Sequence, residues 1–327
     1  MATKRSLGAI SEALFSSKKC LVVSHYNPDA DAYGSSCGLV LALKAIGIDA
    51  VCVNQNGASP RYSFVHGMDS VLGGVPRGDW DTLVVCDCAG MDRIGESLLK
   101  EIPETPVLIN IDHHISNDGF GTHVYVKPEA SSTSELVFHI LQKLSKSINK
   151  EVAENLMVGI YGDTGSFRYS CTGPETFRTM FRLCKYGASP YDVSSFLYST
   201  VELSALKLQT TALSQVKLYC SGKIAEVVVT KDLFDSCGAD LEDAEILAER
   251  ARDIAGVEVS VSIREDGDIW RVSLRAKNSR YNMSEVASCF GGGGHLSAAA
   301  FRWRRSLEEL EEELLQRLSD LLMCKEP

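Results

Sequence analysis

The sequence predicts an α/β protein: a parallel sheet with helices on both faces, then a smaller α/β C-terminal domain, with a cleft between the two. Three observations carry that expectation. Short apolar runs alternate with helical stretches through the first half, the pattern of a sheet covered by crossover helices. Those runs are apolar at nearly every position, as strands buried on both faces are. The 327 residues are long for a single core, and the pattern changes character near residue 221.

In chain order, strands are expected at "CLVVS" (20–24), "DAVCVN" (49–54), "TLVVCD" (82–87) and "PVLINID" (106–112). Helices are expected at 33–46, 132–146, 150–161, 174–186 and 202–218. From 188 to 220 strands give way to helices leading into a turn, which reads as a connector. The second unit offers strands at "GKIAEVVVT", "VEVSVSIRE" and "DIWRVSLRA", the last two joined by a hairpin-type Asp-Gly turn. A helix at "LEDAEILAERARDI" precedes that hairpin, and "SLEELEEELLQRLSDLLM" closes the chain as an amphipathic helix with a solvated acidic face. The expected limits are a first domain over 1–187, a helical linker over 188–220 and a second domain over 221–327.

Composition narrows the function. With 33 Lys plus Arg against 43 Asp plus Glu, a net charge of −10 argues against a protein that grips long duplex DNA. No apolar run reaches membrane-span length and the first residues lack a signal-peptide core, so the expected location is the cytoplasm, with no membrane partner. The 11 Cys include no C-x-x-C pair and read as small buried apolar residues of a reducing compartment.

The stretch "SHYNPDADAYGSS" crowds His25, Asp29 and Asp31 behind the first strand, with Asn27 shaping the turn. Asp87 closes the third strand, Asp112, His113 and His114 close the fourth, and Asp163 ends an apolar helix beside Gly162 and Gly165. A parallel sheet brings the carboxyl ends of its strands to one edge, where such folds bind ligands. Four carboxylates gathered there would repel one another unless divalent cations neutralised them. Asp and His ligands without thiolate suit Mn²⁺, with Mg²⁺, Co²⁺ and Zn²⁺ as alternatives. Two such ions can acidify a shared water and clamp an in-line displacement at phosphorus, which is hydrolysis of a phosphate ester.

The segments "HYNPDADAYGSS", "VVCDCAG", "IDHHISN" and "YGDTGSFRYS" resemble, in order, the four motifs of the DHH phosphoesterases, the superfamily of RecJ-type exonucleases and manganese pyrophosphatases. The second unit, with "VSLRA" and "FGGGGHLSAAAF", resembles the DHH-associated domain of RecJ-like and oligoribonuclease members. The resemblance implies that His25, Asp29 and Asp87 hold one metal, that Asp31, Asp87, His113 and Asp163 hold the other, and that Asp87 bridges them. It implies that His114 works on the phosphoryl group or the leaving group, while Asp112 orients a neighbouring His or the loop.

Residues 256–305 carry eight Lys or Arg against five acidic residues, a local excess in an acidic chain. Ser273 and Arg275 alternate on one face of an expected strand, and Arg264 joins them as a candidate. Gly292, Gly293 and Gly294, in a run of four glycines with His295 directly after, expose backbone N–H groups that can cradle a phosphate. Arg168 is a further phosphate candidate.

The leading expectation is a two-metal phosphodiesterase or phosphatase for short oligoribonucleotides, linear dinucleotides such as pApA, or adenosine 3′,5′-bisphosphate, of the type that nano-RNases represent; a homodimer is compatible with it. A cyclic-dinucleotide phosphodiesterase is the main alternative. A single-strand exonuclease would need a basic tracking channel that this acidic chain lacks. A pyrophosphatase would not carry the glycine-rich reader, and a non-catalytic nucleotide-binding regulator is the reading from another class.

Overall fold

The computed structural model describes residues 6–144, 147–278, 280–294 and 296–323. They form two compact units divided between residues 200 and 201. The first contains α1 (Leu7–Ser16), β1 (Lys19–Val23), α2 (Ala30–Ala45), β2 (Asp49–Val53), β3 (Thr82–Cys86), α3 (Glu96–Leu99), β4 (Val107–Asp112), β5 (His123–Val126), α4 (Thr133–Leu141), α5 (Lys150–Asp163), α6 (Pro174–Lys185) and α7 (Pro190–Tyr198). Its five strands run parallel in the order β2-β1-β3-β4-β5.

The apolar runs are explained by burial on both faces. Cys20, Val22, Val84 and Cys86 pack under α1, α2, α4 and α5, while Leu21, Val23, Leu83 and Val85 meet Ile94 and Leu98 on the other side. The edge strand β5 was not among the expected strands; its four residues begin with a histidine and lack the long β-branched run of the others.

One helix pair sets the geometry of the site. A Cβ on Gly34 of α2 would lie 2.6 Å from the Asn155 carbonyl and 2.8 Å from the Gly159 nitrogen of α5, so the two backbones touch. A Cβ on Gly162 would lie 2.6 Å from that of Ala30. Small residues at this crossing bring the first turn of α2, with Asp31, against the end of α5, with Asp163.

The second unit contains α8 (Leu203–Ser214), β6 (Lys217–Tyr219), β7 (Ile224–Val229), α9 (Lys231–Cys237), α10 (Leu247–Arg252), β8 (Val259–Asp266), β9 (Ile269–Ala276), α11 (Met283–Cys289), β10 (Gly293–Gly294), β11 (Ala298–Trp303) and α12 (Leu307–Leu321). Its mixed sheet runs β10-β11-β9-β8-β7-β6, and the expected Asp266-Gly267 turn joins β8 to β9 with Gly267 at φ 62°. One sheet face packs on α11 and α12, the other on α8, α9 and α10. The segment expected as a connector is shared: α7 packs on α5 in the first unit, and α8 packs on α9 and α10 in the second. Among the described residues no helix is long and apolar enough to cross a membrane. Six of the described cysteines are buried, but Cys184 and Cys289 are exposed.

Candidate metal centre

Strands β1 and β3 are neighbours, yet the chain leaves β1 toward β2 on one side and later returns to β3 on the other. That reversal opens the crevice where open α/β sheets bind ligands. His25 follows β1, and Asp29 is the N-cap of α2, its Oδ1 accepting the amides of Asp31 and Ala32 at 3.0 Å each. Asp87 follows β3 with φ 58°, a left-handed conformation that a non-glycine residue holds at a cost, fixed by its amide donating to Ile111 at 3.0 Å. Asp112 closes β4, His113 and His114 follow it, and Asp163 ends α5. Asn27, at φ 53°, shapes the turn as expected.

These groups converge. Nε2 of His25 lies 3.8 Å from Asp29 Oδ1 and 3.6 Å from Asp87 Oδ2. Nε2 of His113 lies 2.9 Å from Asp163 Oδ2 and 3.7 Å from Asp87 Oδ1. Ligand-capable atoms gather in three sets, each within 4.8 Å: His25, Asp29 and Asp87; Asp31, His113 and Asp163; Asp87, His113 and His114. Asp87 belongs to two of them. The ring of His25 is oriented by its Nδ1 on the Tyr26 carbonyl at 2.9 Å, which directs Nε2 inward. His114 differs, because its Nδ1 is engaged by Asp112 Oδ1 at 2.6 Å.

The cluster cannot ionise freely. Burial and the neighbouring Asp87 and Asp163 carboxylates push the Asp31 pKa well above the usual carboxylate range. Burial raises Asp163 to about 6 against the opposing contact with His113. Asp87 goes the other way: burial opposes its charge, but contact with His25 and the proximity of His114 and His113 outweigh it. Burial also opposes charge on His113, yet contact with Asp163 and the Asp87 field lift it to about 11. Protons thus occupy a site of buried negative charge, and divalent cations fit the same oxygen and imidazole donor set, which lacks thiolate.

Several residues escaped the sequence reading. Asp31 is fully buried, and its Oδ2 and Oδ1 accept the amides of Thr133 at 2.7 Å and Ser134 at 2.9 Å, the first residues of α4. The Thr133 hydroxyl lies 3.0 Å from Asp87 Oδ1. Asn54 Nδ2 donates to Ser24 Oγ at 3.0 Å and the His25 carbonyl at 2.8 Å, and Asn117 Nδ2 reaches Asp112 Oδ2 at 2.6 Å. A Cβ on Gly159 would overlap Ser134 Oγ and Asp31 Oδ1. The signal available beforehand was the run "SSTSE" opening a helix, which reads equally well as ordinary capping.

Arg168 lies in the loop after Asp163, its Nε donating to the Gly165 carbonyl at 2.8 Å. In the second unit, paired positions place Ser262 opposite Ser273, Ser260 opposite Arg275 and Arg264 opposite Arg271, so these residues share a sheet face. Arg264 Nη2 donates to Ser273 Oγ at 3.2 Å, while buried Arg264 Nε and Ser262 Oγ find no hydrogen-bond partner among the described residues. Arg275 donates to the Leu274 carbonyl at 3.1 Å and lies 3.9 Å from Glu249. A Cβ on Gly292 would meet the Phe301 backbone at 2.8 Å, and one on Gly294, at φ 147°, the Ala298 carbonyl at 2.6 Å; both glycines are needed for the close approach of β11. Gly293 is exposed with open space around it. His295 lies outside the described residues.

Comparison with known proteins agrees with this architecture. Residues 19–160 match the DHH family, N-terminal domain, and residues 224–323 match the DHHA1 domain. The chain is 30% identical over 309 residues to the bifunctional oligoribonuclease and PAP phosphatase NrnA of Bacillus subtilis, covering 92% of this chain and 93% of that one. It is 32% identical over 306 residues to the protein of the same name from Thermus thermophilus, covering 90% and 89%. An exopolyphosphatase-related protein from Bacteroides fragilis superimposes with a TM-score of 0.89 at 27% identity over 97% of both chains.

Proposed function

The chain belongs to the DHH family and carries the DHHA1 domain behind it, and from that premise we propose that it is a metal-dependent phosphoesterase acting on short oligoribonucleotides, on linear dinucleotides such as pApA and on adenosine 3′,5′-bisphosphate. The convergence of His25, Asp29, Asp31, Asp87, His113 and Asp163 from separate elements supports this reading most directly. Two divalent cations, Mn²⁺ by preference, supply Lewis acidity toward the phosphoryl oxygens and lower the pKa of an attacking water when bound. His25, Asp29 and Asp87 form one ligand set, and Asp31, Asp87, His113 and Asp163 the other.

His114 converges with Asp87 and His113 but is read as acting on the substrate and not as a ligand. Asp112 accepts at Nδ1, so Nε2 is the atom presented to a phosphoryl oxygen or a leaving group. Asp112 in turn accepts from the His113 amide at 2.8 Å and from Asn117, which fixes its own orientation. In the second unit, Arg264 Nε and Ser262 Oγ are buried donors without partners among the described residues, each costing about 1–3 kcal/mol while unsatisfied. A terminal phosphate would satisfy them, with Ser273, Arg275, His295, Gly293 and Gly294 completing its recognition and Arg168 serving the scissile end; the Gly292 amide already donates to the Ala287 carbonyl at 2.9 Å, so Gly292 contributes only the close backbone approach. The activity is proposed for the cytoplasm, without a membrane or duplex-DNA partner.

The test is a rate ranking with Mn²⁺ over pAp, pApA, cyclic di-AMP, a five-nucleotide RNA and pyrophosphate. Linear pApA and pAp should lead. Faster turnover of cyclic di-AMP or of pyrophosphate would overturn the substrate assignment, and absence of turnover on every substrate would overturn the enzymatic one.

A further inference from the structure

We propose that Thr133 is a positioning residue for the metal centre, its hydroxyl fixing the orientation of the shared carboxylate Asp87. The inference rests on the proposed ligand role of Asp87 and adds a residue outside the ligand sets. Thr133 is fully buried, and its Oγ1 lies 3.0 Å from Asp87 Oδ1. The hydroxyl is not spent on its own helix. The N-cap of α4 is Ser132, whose Oγ accepts the Glu135 amide at 3.1 Å, so the cap is complete without Thr133.

The Asp87 main chain is already fixed by its position after β3 and by its amide bond to Ile111. What remains free is the terminal torsion of the carboxylate, a broad and roughly two-fold rotation. That torsion sets the carboxylate plane, and with it whether one oxygen faces each ligand set. In the structure Oδ2 faces His25 at 3.6 Å, while Oδ1 faces His113 and His114, each at 3.7 Å. Donation from Thr133 to Oδ1 occupies one lone pair, leaves the other for coordination, and holds the carboxylate plane against twisting. The same residue also donates its amide to Asp31 Oδ2 at 2.7 Å. One residue at the start of α4 therefore holds two carboxylates that belong to different elements and repel each other. Groups that orient metal ligands from behind typically change affinity or activity by about 10- to 100-fold when removed.

The experiment compares the full-length protein with Thr133→Val, which keeps shape and loses the hydroxyl, Thr133→Ser, which restores it, and Asp87→Ala. Mn²⁺ binding is measured by calorimetry in the absence of substrate, and pApA turnover separately. Thr133→Val should weaken Mn²⁺ binding by about 10- to 100-fold, and Thr133→Ser should return it to within about three-fold of the wild type. Wild-type Mn²⁺ affinity in Thr133→Val, alongside lost binding in Asp87→Ala, would overturn the role of Thr133 and leave the ligand assignment standing. Unchanged binding in Asp87→Ala would overturn both. Should Thr133→Val fail to fold, Thr133→Ala takes its place, and equal affinity of the Ala and Ser variants would refute a role for the hydroxyl.

Discussion

Gly159→Ala is a one-methyl perturbation whose effect can be worked through from the helix crossing. In an isolated helix the change should stabilise by about 1 kcal/mol, because alanine has the higher helix propensity. Here the added Cβ would fall well inside 3.0 Å of both Ser134 Oγ and Asp31 Oδ1, where ordinary contact begins near 3.4 Å. The Asp31 carboxylate is pinned by two amides of α4, so it has to retreat by about 1 Å together with that helix end or lose those bonds. Overpacking of this kind costs about 1–3 kcal/mol, which equals or exceeds the propensity gain. A misplacement of about 1 Å at a reacting centre lowers turnover by about 100-fold. The assays are thermal unfolding, a Mn²⁺ titration and pApA turnover. Gly38→Ala is the control, since the nearest neighbours of its Cβ are Leu156 Cδ2 at 3.0 Å, Leu156 Cγ at 3.3 Å and Asn155 Cβ at 3.5 Å, none of them in the Asp and His cluster. The reasoning predicts weakened Mn²⁺ binding and turnover in Gly159→Ala and little change in Gly38→Ala. Native affinity and rate in Gly159→Ala would refute it.

Other predictions follow from separate parts of the molecule. His114→Ala should keep its metal content by elemental analysis and lose turnover by at least about 100-fold, whereas loss of metal would exchange the roles assigned to the two histidines. Arg275→Ala should raise KM for pApA while leaving hydrolysis of bis-p-nitrophenyl phosphate unchanged, and equal losses on both would remove the end-phosphate reading. Burial and the nearby Glu311 push Glu226 up to about 7 against the opposing Lys217 and Tyr219, so the folded chain holds this proton more tightly than the unfolded one. That stabilisation is complete below pH 4.5 and is lost as pH rises through about 7, by up to about 3 kcal/mol. Glu226→Gln should flatten this loss in urea unfolding of the second unit measured across the same window, and an unchanged slope would contradict it.

Much of the first unit could be read from sequence because parallel strands buried on both faces leave near-continuous apolar runs, and because the residues at strand ends are placed by the chain itself. His25, Asp87 and His113 were therefore visible. Thr133 and Gly159 were not, since their roles exist only where α4 and α5 meet Asp31 and Asp87. A threonine in the first turn and a glycine inside a helix each have an ordinary local reading. The expected helix over 202–218 ends at Ser214, and Lys217–Tyr219 pairs instead with β7, a tertiary contact that helical periodicity does not encode. Ser262 reads as one more polar residue in an alternating strand, and only its burial without a partner among the described residues marks it.

The central claim is that two cations held by the Asp and His cluster drive phosphoester hydrolysis. Its most direct test titrates Mn²⁺ into chelator-stripped protein while bound metal and pApA turnover are followed together. The account predicts no turnover in the stripped protein and a rate that rises to its maximum as the second equivalent binds. Full turnover without metal, or a maximal rate at one equivalent, would contradict it.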